Sequence, residues 1–183
     1  DAGLMVARTT AGAAAATEEY PTNDIMSEHF LFDGTTEEGV QFKLPLPDKW
    51  DKLTIKVKFF WDAATGATAA DGVVWGVSAQ ALSDDDAIDA AFAASVDTTD
   101  AVTAVGDLHV SPASAAVTVS GTPALGDMIL FEITRVAGDA ADTMTEDAKL
   151  LGVQIQYKES ADRKSVVLGK GGGVGGGGGG GVG

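Results

Sequence analysis

The chain has 183 residues, 45% of them hydrophobic, which suits one domain with a substantial core and would strain to make two. Its formal charge of -15, with no visible basic patch, sets it against nucleic-acid phosphates and anionic membranes, so neither is expected as a partner. The absence of cysteine excludes disulfides, thiol catalysis and cysteine-ligated zinc, and no apolar run approaches the roughly 20 residues of a bilayer span.

In chain order, residues 1–19 are rich in small residues and carry no amphipathic pattern; they read as a flexible N-terminal arm. The opening residue is Asp1, not Met, so a missing upstream segment, a signal peptide included, stays open. Tyr20-Pro21 begins ordered structure, because the residue before proline is pushed toward extended geometry. His29 to Phe32 reads as a first strand, closed by the Asp33-Gly34 turn signal. Gly39 to Leu46 alternates, with Val40, Phe42, Leu44 and Leu46 on one face, and Pro45 ends the strand or puts it at an edge.

The clearest signal lies between Leu53 and Leu82. Leu53, Ile55, Val57, Phe59 and Trp61 fall on odd positions, and so do Val73, Trp75, Val77 and Ala79. A period of two gives each run one dry and one wet face, as in antiparallel sheets with one solvated side. Ser83 to Ala94 reads as a short helix. Ser83 would be its N-cap, Asp84, Asp85 and Asp86 its acidic first turn, and Ile88 and Phe92 its buried face. Leu108 to Val110, Ala115 to Val119, Asp127 to Val136 and Leu151 to Tyr157 complete the strands. In the last, Leu151, Val153, Ile155 and Tyr157 are expected to face inward.

About eight short strands bounded by turn signals, with a single helix, predict an all-β antiparallel sandwich, most plausibly a jelly roll, over residues 20–161. Residues 162–183 form a separate Gly-rich tail holding half of the 24 glycines. DRKSVV, one residue, then GK resembles the translation of a short-read sequencing adapter. The glycine run would follow from a run of G bases, so the tail reads as a disordered sequencing artefact on a metagenomic chain.

Candidate chemistry is sparse. His29 and His109 could meet across a sheet beside an aspartate, but two ordinary strand residues are the stronger reading. The Asp84–Asp86 run lacks the spaced ligands and central glycine of a calcium loop. Asp139, Asp142, Glu146 and Asp147 read as a solvated acidic loop. Trp50, Trp61 and Trp75 could form a sugar platform, yet the last two share phase with core aliphatics, which favours burial. Neither a nucleophile elbow nor a phosphate loop occurs. No catalytic, cofactor-binding or metal residue is therefore assigned, no cofactor is expected, and the chain is read as a non-enzyme.

Taken together, YPTNDIMSEHFLFD, EEGVQFKLPLPDKWD, TIKVKFFW, GVVWGVSAQALSDDDAIDAAF, AVGDLHV and DTMTEDAKLLGVQIQY resemble small virion structural proteins of tailed phages and prophages. The resemblance spans roughly Tyr20 to Tyr157 and concerns overall pattern rather than catalytic residues. It implies a capsid-decoration protein or a tail or fibre subunit, located in the virion, forming a homotrimer and contacting other capsid or tail proteins. The alternative kept beside it is a carbohydrate-binding β-sandwich module, such as a receptor-binding tip.

Overall fold

The computed structural model describes residues 1–160. It is almost wholly β. A single 3-10 turn, Ala2–Leu4, precedes β1 (Val6–Ala7), β2 (Ala14–Tyr20), β3 (Ile25–Phe32), β4 (Glu38–Pro45), β5 (Trp50–Ala63) and β6 (Gly72–Leu82). Then come β7 (Val96–Ala101), β8 (His109–Val110), β9 (Val117–Ser120), β10 (Met128–Arg135) and β11 (Ala148–Glu159). The expected Gly-rich tail, 162–183, lies outside the described residues.

The strands make a jelly-roll-like sandwich. One sheet runs β1-β4-β10-β6, with β7 on the far side of β6. The other runs β2-β3-β11-β5, with β8 beyond β5. The strand β9 joins the two, pairing antiparallel with β5 through Val117 and Thr118 and parallel with β6 through Val119 and Ser120. The two strongest alternating runs, β5 and β6, are thus not neighbours in one sheet. Their connection is too long for a tight hairpin, and it carries the chain from one sheet to the other.

Their dry faces meet across the sandwich as the period of two demands. Ile55, Val57, Phe59 and Trp61 from β5 and Val73, Trp75, Val77 and Ala79 from β6 are all buried, whereas Leu53, expected with them, is 65% exposed. Trp75 stacks on Phe59 at 5.6 Å and meets Phe32 edge-on at 5.2 Å, while Phe42 and Phe131 stack at 4.8 Å. Such aromatic pairs add about 0.5–1.5 kcal/mol beyond their buried area. β6 is buried on both faces except at its last residue.

Four expectations need correction. Residues 83–94 form turns rather than a helix: Asp85 has a φ of 68°, and the Asp86 carboxylate accepts the Ser83 N–H at 2.8 Å. A helix this short is marginal without a buried face, and Ile88 is 78% exposed. Residues 1–19 are built into the sandwich. β1 pairs with β4, Gly39 donates to the Ala11 carbonyl, and β2 forms the edge of the second sheet. The sandwich therefore begins upstream of residue 20. Eleven strands replace the expected eight because β1, β2 and β7 lack apolar alternation. Finally, a bulge between Leu150 and Gly152 takes Leu151 out of the expected inward set: Leu150 before it is buried, Val153 and Ile155 after it pack against the core as expected, and Tyr157 keeps their phase opposite Ile55 but is 37% exposed.

Candidate functional site

The sequence candidates disperse. Trp50, Trp61 and Trp75 are at most 3% exposed, so no tryptophan platform faces solvent. His109 is in phase with Trp61 and stacks on it at 4.4 Å, accepting the Thr103 N–H at 2.9 Å. His29 is out of phase with the buried Phe30, so the two histidines lie on opposite faces of their sheet. Asp84, Asp85 and Asp86 are exposed. The acidic loop is only partly solvated, because the Asp142 side chain is fully buried. It accepts Arg135 at 2.8 and 3.1 Å and the Val74 N–H at 2.9 Å. Arg135 also donates to the carbonyls of Phe32, Glu146 and Met144, pinning the loop to the sandwich end. Among the described residues no His, Asp and Glu side chains gather into a metal-holding group, and no helix is long and apolar enough to cross a membrane.

What the sequence did not announce is a polar cluster on the outer face of the second sheet. The side chains of Trp61 and Ala63 are buried in the core, so Asp62 between them faces the other way, as does its cross-strand partner Lys149. Lys149 pairs with Glu18 at 2.6 Å and Asp62 at 3.5 Å, and the Tyr20 hydroxyl donates to Asp62 at 3.2 Å. Glu18 and Tyr20 belong to β2, which β3 and β11 separate from β5. A flat sheet could not bring them together. The β2–β3 hairpin therefore curls over the outer face, and these contacts clamp it there.

The clamp leaves a chemical signature. Burial works against the charge on Lys149, but the hydrogen bond to Glu18 and the nearby Asp62 outweigh it and hold its pKa above the usual 10.5. Tyr20 is raised above 10.0, first by burial and then by Asp62. His29 is pushed below 6.5, first by burial and then by the Lys149 charge. Its Nδ1 and the nearby Ser27 hydroxyl are buried without hydrogen-bond partners among the described residues.

Between the curled hairpin and the loop before β8 lies a cleft of about 380 Å3, inside the size range of small-ligand sites. Tyr20 and Ile25 form one wall, Gly106, Asp107 and Leu108 the other, and Asp62 and Leu151 the floor. The Gly106 N–H donates to Asp62 at 2.9 Å, tying loop to floor. Ile25 and Leu108 are 57% and 62% exposed, an apolar rim over a polar base. The bulge in β11 is what brings Leu151 here. A comparable hollow of about 350 Å3 beside the N-terminal turn is lined by small residues of that turn and of β2, together with Met5, Glu28, His29 and Phe30.

No protein-family model matches the chain, and no curated protein does. Among solved structures, it is similar to the CBM22-2 xylan-binding domain of Xyn10C from Paenibacillus barcinonensis. Identity is 16%, 86% of this chain and 94% of that one are covered, and the TM-score is 0.50. A non-crystalline cellulose-specific carbohydrate-binding module, CBM28, matches at 10% identity over 85% and 89%, with a TM-score of 0.45. TmCBM61 in complex with β-1,4-galactotriose matches at 10% identity over 84% and 87%, with a TM-score of 0.41. The first of these places the chain in the same sandwich fold.

Proposed function

We propose that the chain is a non-catalytic binding module that takes a neutral glycan segment in the cleft between Tyr20 and Leu108. The observation that carries this is the make-up of the cleft. A tyrosine and three aliphatic side chains, Ile25, Leu108 and Leu151, offer apolar surface to a sugar's C–H face, and the exposed Asp107 offers an acceptor to its hydroxyls. The shared fold with a xylan-binding domain makes plant-type β-glycans the first ligands to try. The test is calorimetry and affinity electrophoresis against xylan, mixed-linkage glucan, cellulose oligomers and galactan. Tyr20→Ala is expected to weaken binding about tenfold or more, since loss of an aromatic contact removes at least 1–2 kcal/mol. Absence of binding to any glycan, or unchanged binding by that variant, would overturn the reading.

A second reading, a structural subunit of a tailed-phage virion, is supported by the sequence resemblance and by one observation: the outer edge of β2 has no strand beside it among the described residues and so is available to a neighbouring subunit. Genes for capsid or tail proteins flanking this one, and its detection by mass spectrometry in purified particles, are the expected results. A neighbourhood of glycan-degrading enzymes would exclude it.

A further inference from the structure

Asp62 lies where β2, β5, β11 and the loop before β8 come together. Its neighbours in β5, Trp61 and Ala63, are sealed in the core, so the backbone beneath the carboxylate is fixed. The residue is 2% exposed and stands opposite Lys149 of β11. Its two oxygens serve different walls of the cleft. Oδ1 accepts the Gly106 N–H of the loop at 2.9 Å, along with the Ala63 N–H at 2.7 Å. Oδ2 accepts the Tyr20 hydroxyl of the hairpin at 3.2 Å and faces Lys149 Nζ at 3.5 Å. Lys149 carries the hold to the same hairpin a second time, through Glu18 at 2.6 Å.

The loop has little else to hold it. At its base, Thr103 donates its N–H to His109, which stacks on Trp61. Between Thr103 and β8, the hydrogen bond from Gly106 is the one that ties the loop to the sheet among the described residues. Gly106 reaches the carboxylate with a φ of 84°, a conformation that favours glycine, while a Cβ there would meet nothing within 4 Å. Its glycine therefore serves the turn and not a close approach. A buried carboxylate is held by such donors because they replace its lost water. Departure of one wall would readmit water to the charge. That water would compete for the second oxygen and screen the lysine, so the grip on the other wall would weaken as well.

We infer that Asp62 is the positioning residue of the cleft: it pins both walls at once, so that hairpin and loop loosen or tighten together. The coupling follows from these contacts alone, and only its effect on affinity rests on the proposed glycan binding.

The experiment is amide hydrogen exchange on the full chain, read by mass spectrometry at residues 14–29 and 103–108. Asp62→Asn keeps the shape and one acceptor but gives up the charge. It should speed exchange at both walls about tenfold or more, since a hydrogen bond to a charged group is worth at least that factor. Tyr20→Phe removes a contact of the hairpin alone, and Gly106→Ala strains the loop alone. Each should still speed exchange at the opposite wall, because coupling between two sites is reciprocal. Retained protection of β6 shows that the sandwich stays folded, and if Asp62→Asn does not fold, the two single-wall variants decide. Exchange that rises at one wall only, or at neither, overturns the inference. A glycan that binds the wild type should bind Asp62→Asn about tenfold more weakly, because an unpinned cleft is no longer preorganised. Equal affinity would overturn the positioning role. A wild type that binds no glycan removes the glycan reading, and the exchange result stands by itself.

Discussion

Arg135 has no water to fall back on. Its guanidinium is fully buried, and every contact it makes holds the 137–147 loop or the end of β3. Arg135→Met would leave the Asp142 carboxylate buried without its counter-charge. About 3–5 kcal/mol of unfolding free energy should be lost, read by urea denaturation, with partial recovery on adding Asp142→Leu. Trp75→Ala should cost about 3–5 kcal/mol by the same measurement, and Trp75→Phe less, because a ring there still meets Phe59 and Phe32. His29 gives a pH test. Its folded pKa lies below the unfolded 6.5, so the unfolded chain binds the proton more readily. Its stabilising contribution is complete above pH 6.5 and declines as pH falls below it. The melting temperature of the wild type should drop across that window, and His29→Gln should flatten the drop.

Among the elements, the β2–β3 hairpin depends most on a few polar contacts. Glu18→Gln or Tyr20→Phe should raise amide hydrogen exchange across residues 14–29 and leave β5 and β6 protected. The folded pKa values of Lys149 and Tyr20 are both raised, so the clamp is complete below about pH 10 and loosens as pH climbs past it. The 83–94 segment is the reverse case. Ile88→Asp should change stability by no more than about 0.5 kcal/mol, and far-ultraviolet dichroism should lack a helical band. These contrasts explain what could be read from the residues. β4, β5 and β10 announce themselves because each buries one face and alternation records it, and β6, though covered on both faces, still keeps Val73, Trp75 and Val77 in one phase. β2 and β7 do not, since alanines, threonines and acids at a sheet margin need no apolar phase. The helix reading of 83–94 followed local capping logic, which fails where no groove receives Ile88. The cleft was illegible because it arises from curling and from a bulge, and neither leaves a pattern in the order of the residues.

For the molecule as a whole, the uneven placement of charge matters more than its total. The lysines without an ion-pair partner among the described residues gather on β4, the turn after it, β5 and the end of β11 of an otherwise acidic body, so approach of a charged partner should be oriented as well as salt-sensitive. The three sequestered indoles have a practical consequence. Trp50, Trp61 and Trp75 should fluoresce at short wavelength and resist acrylamide quenching until the sandwich opens. None of them lines the cleft between Tyr20 and Leu108, so a sugar settling there should leave the emission unmoved. The protein thus carries its own optical gauge of unfolding, one that stays silent when ligand binds.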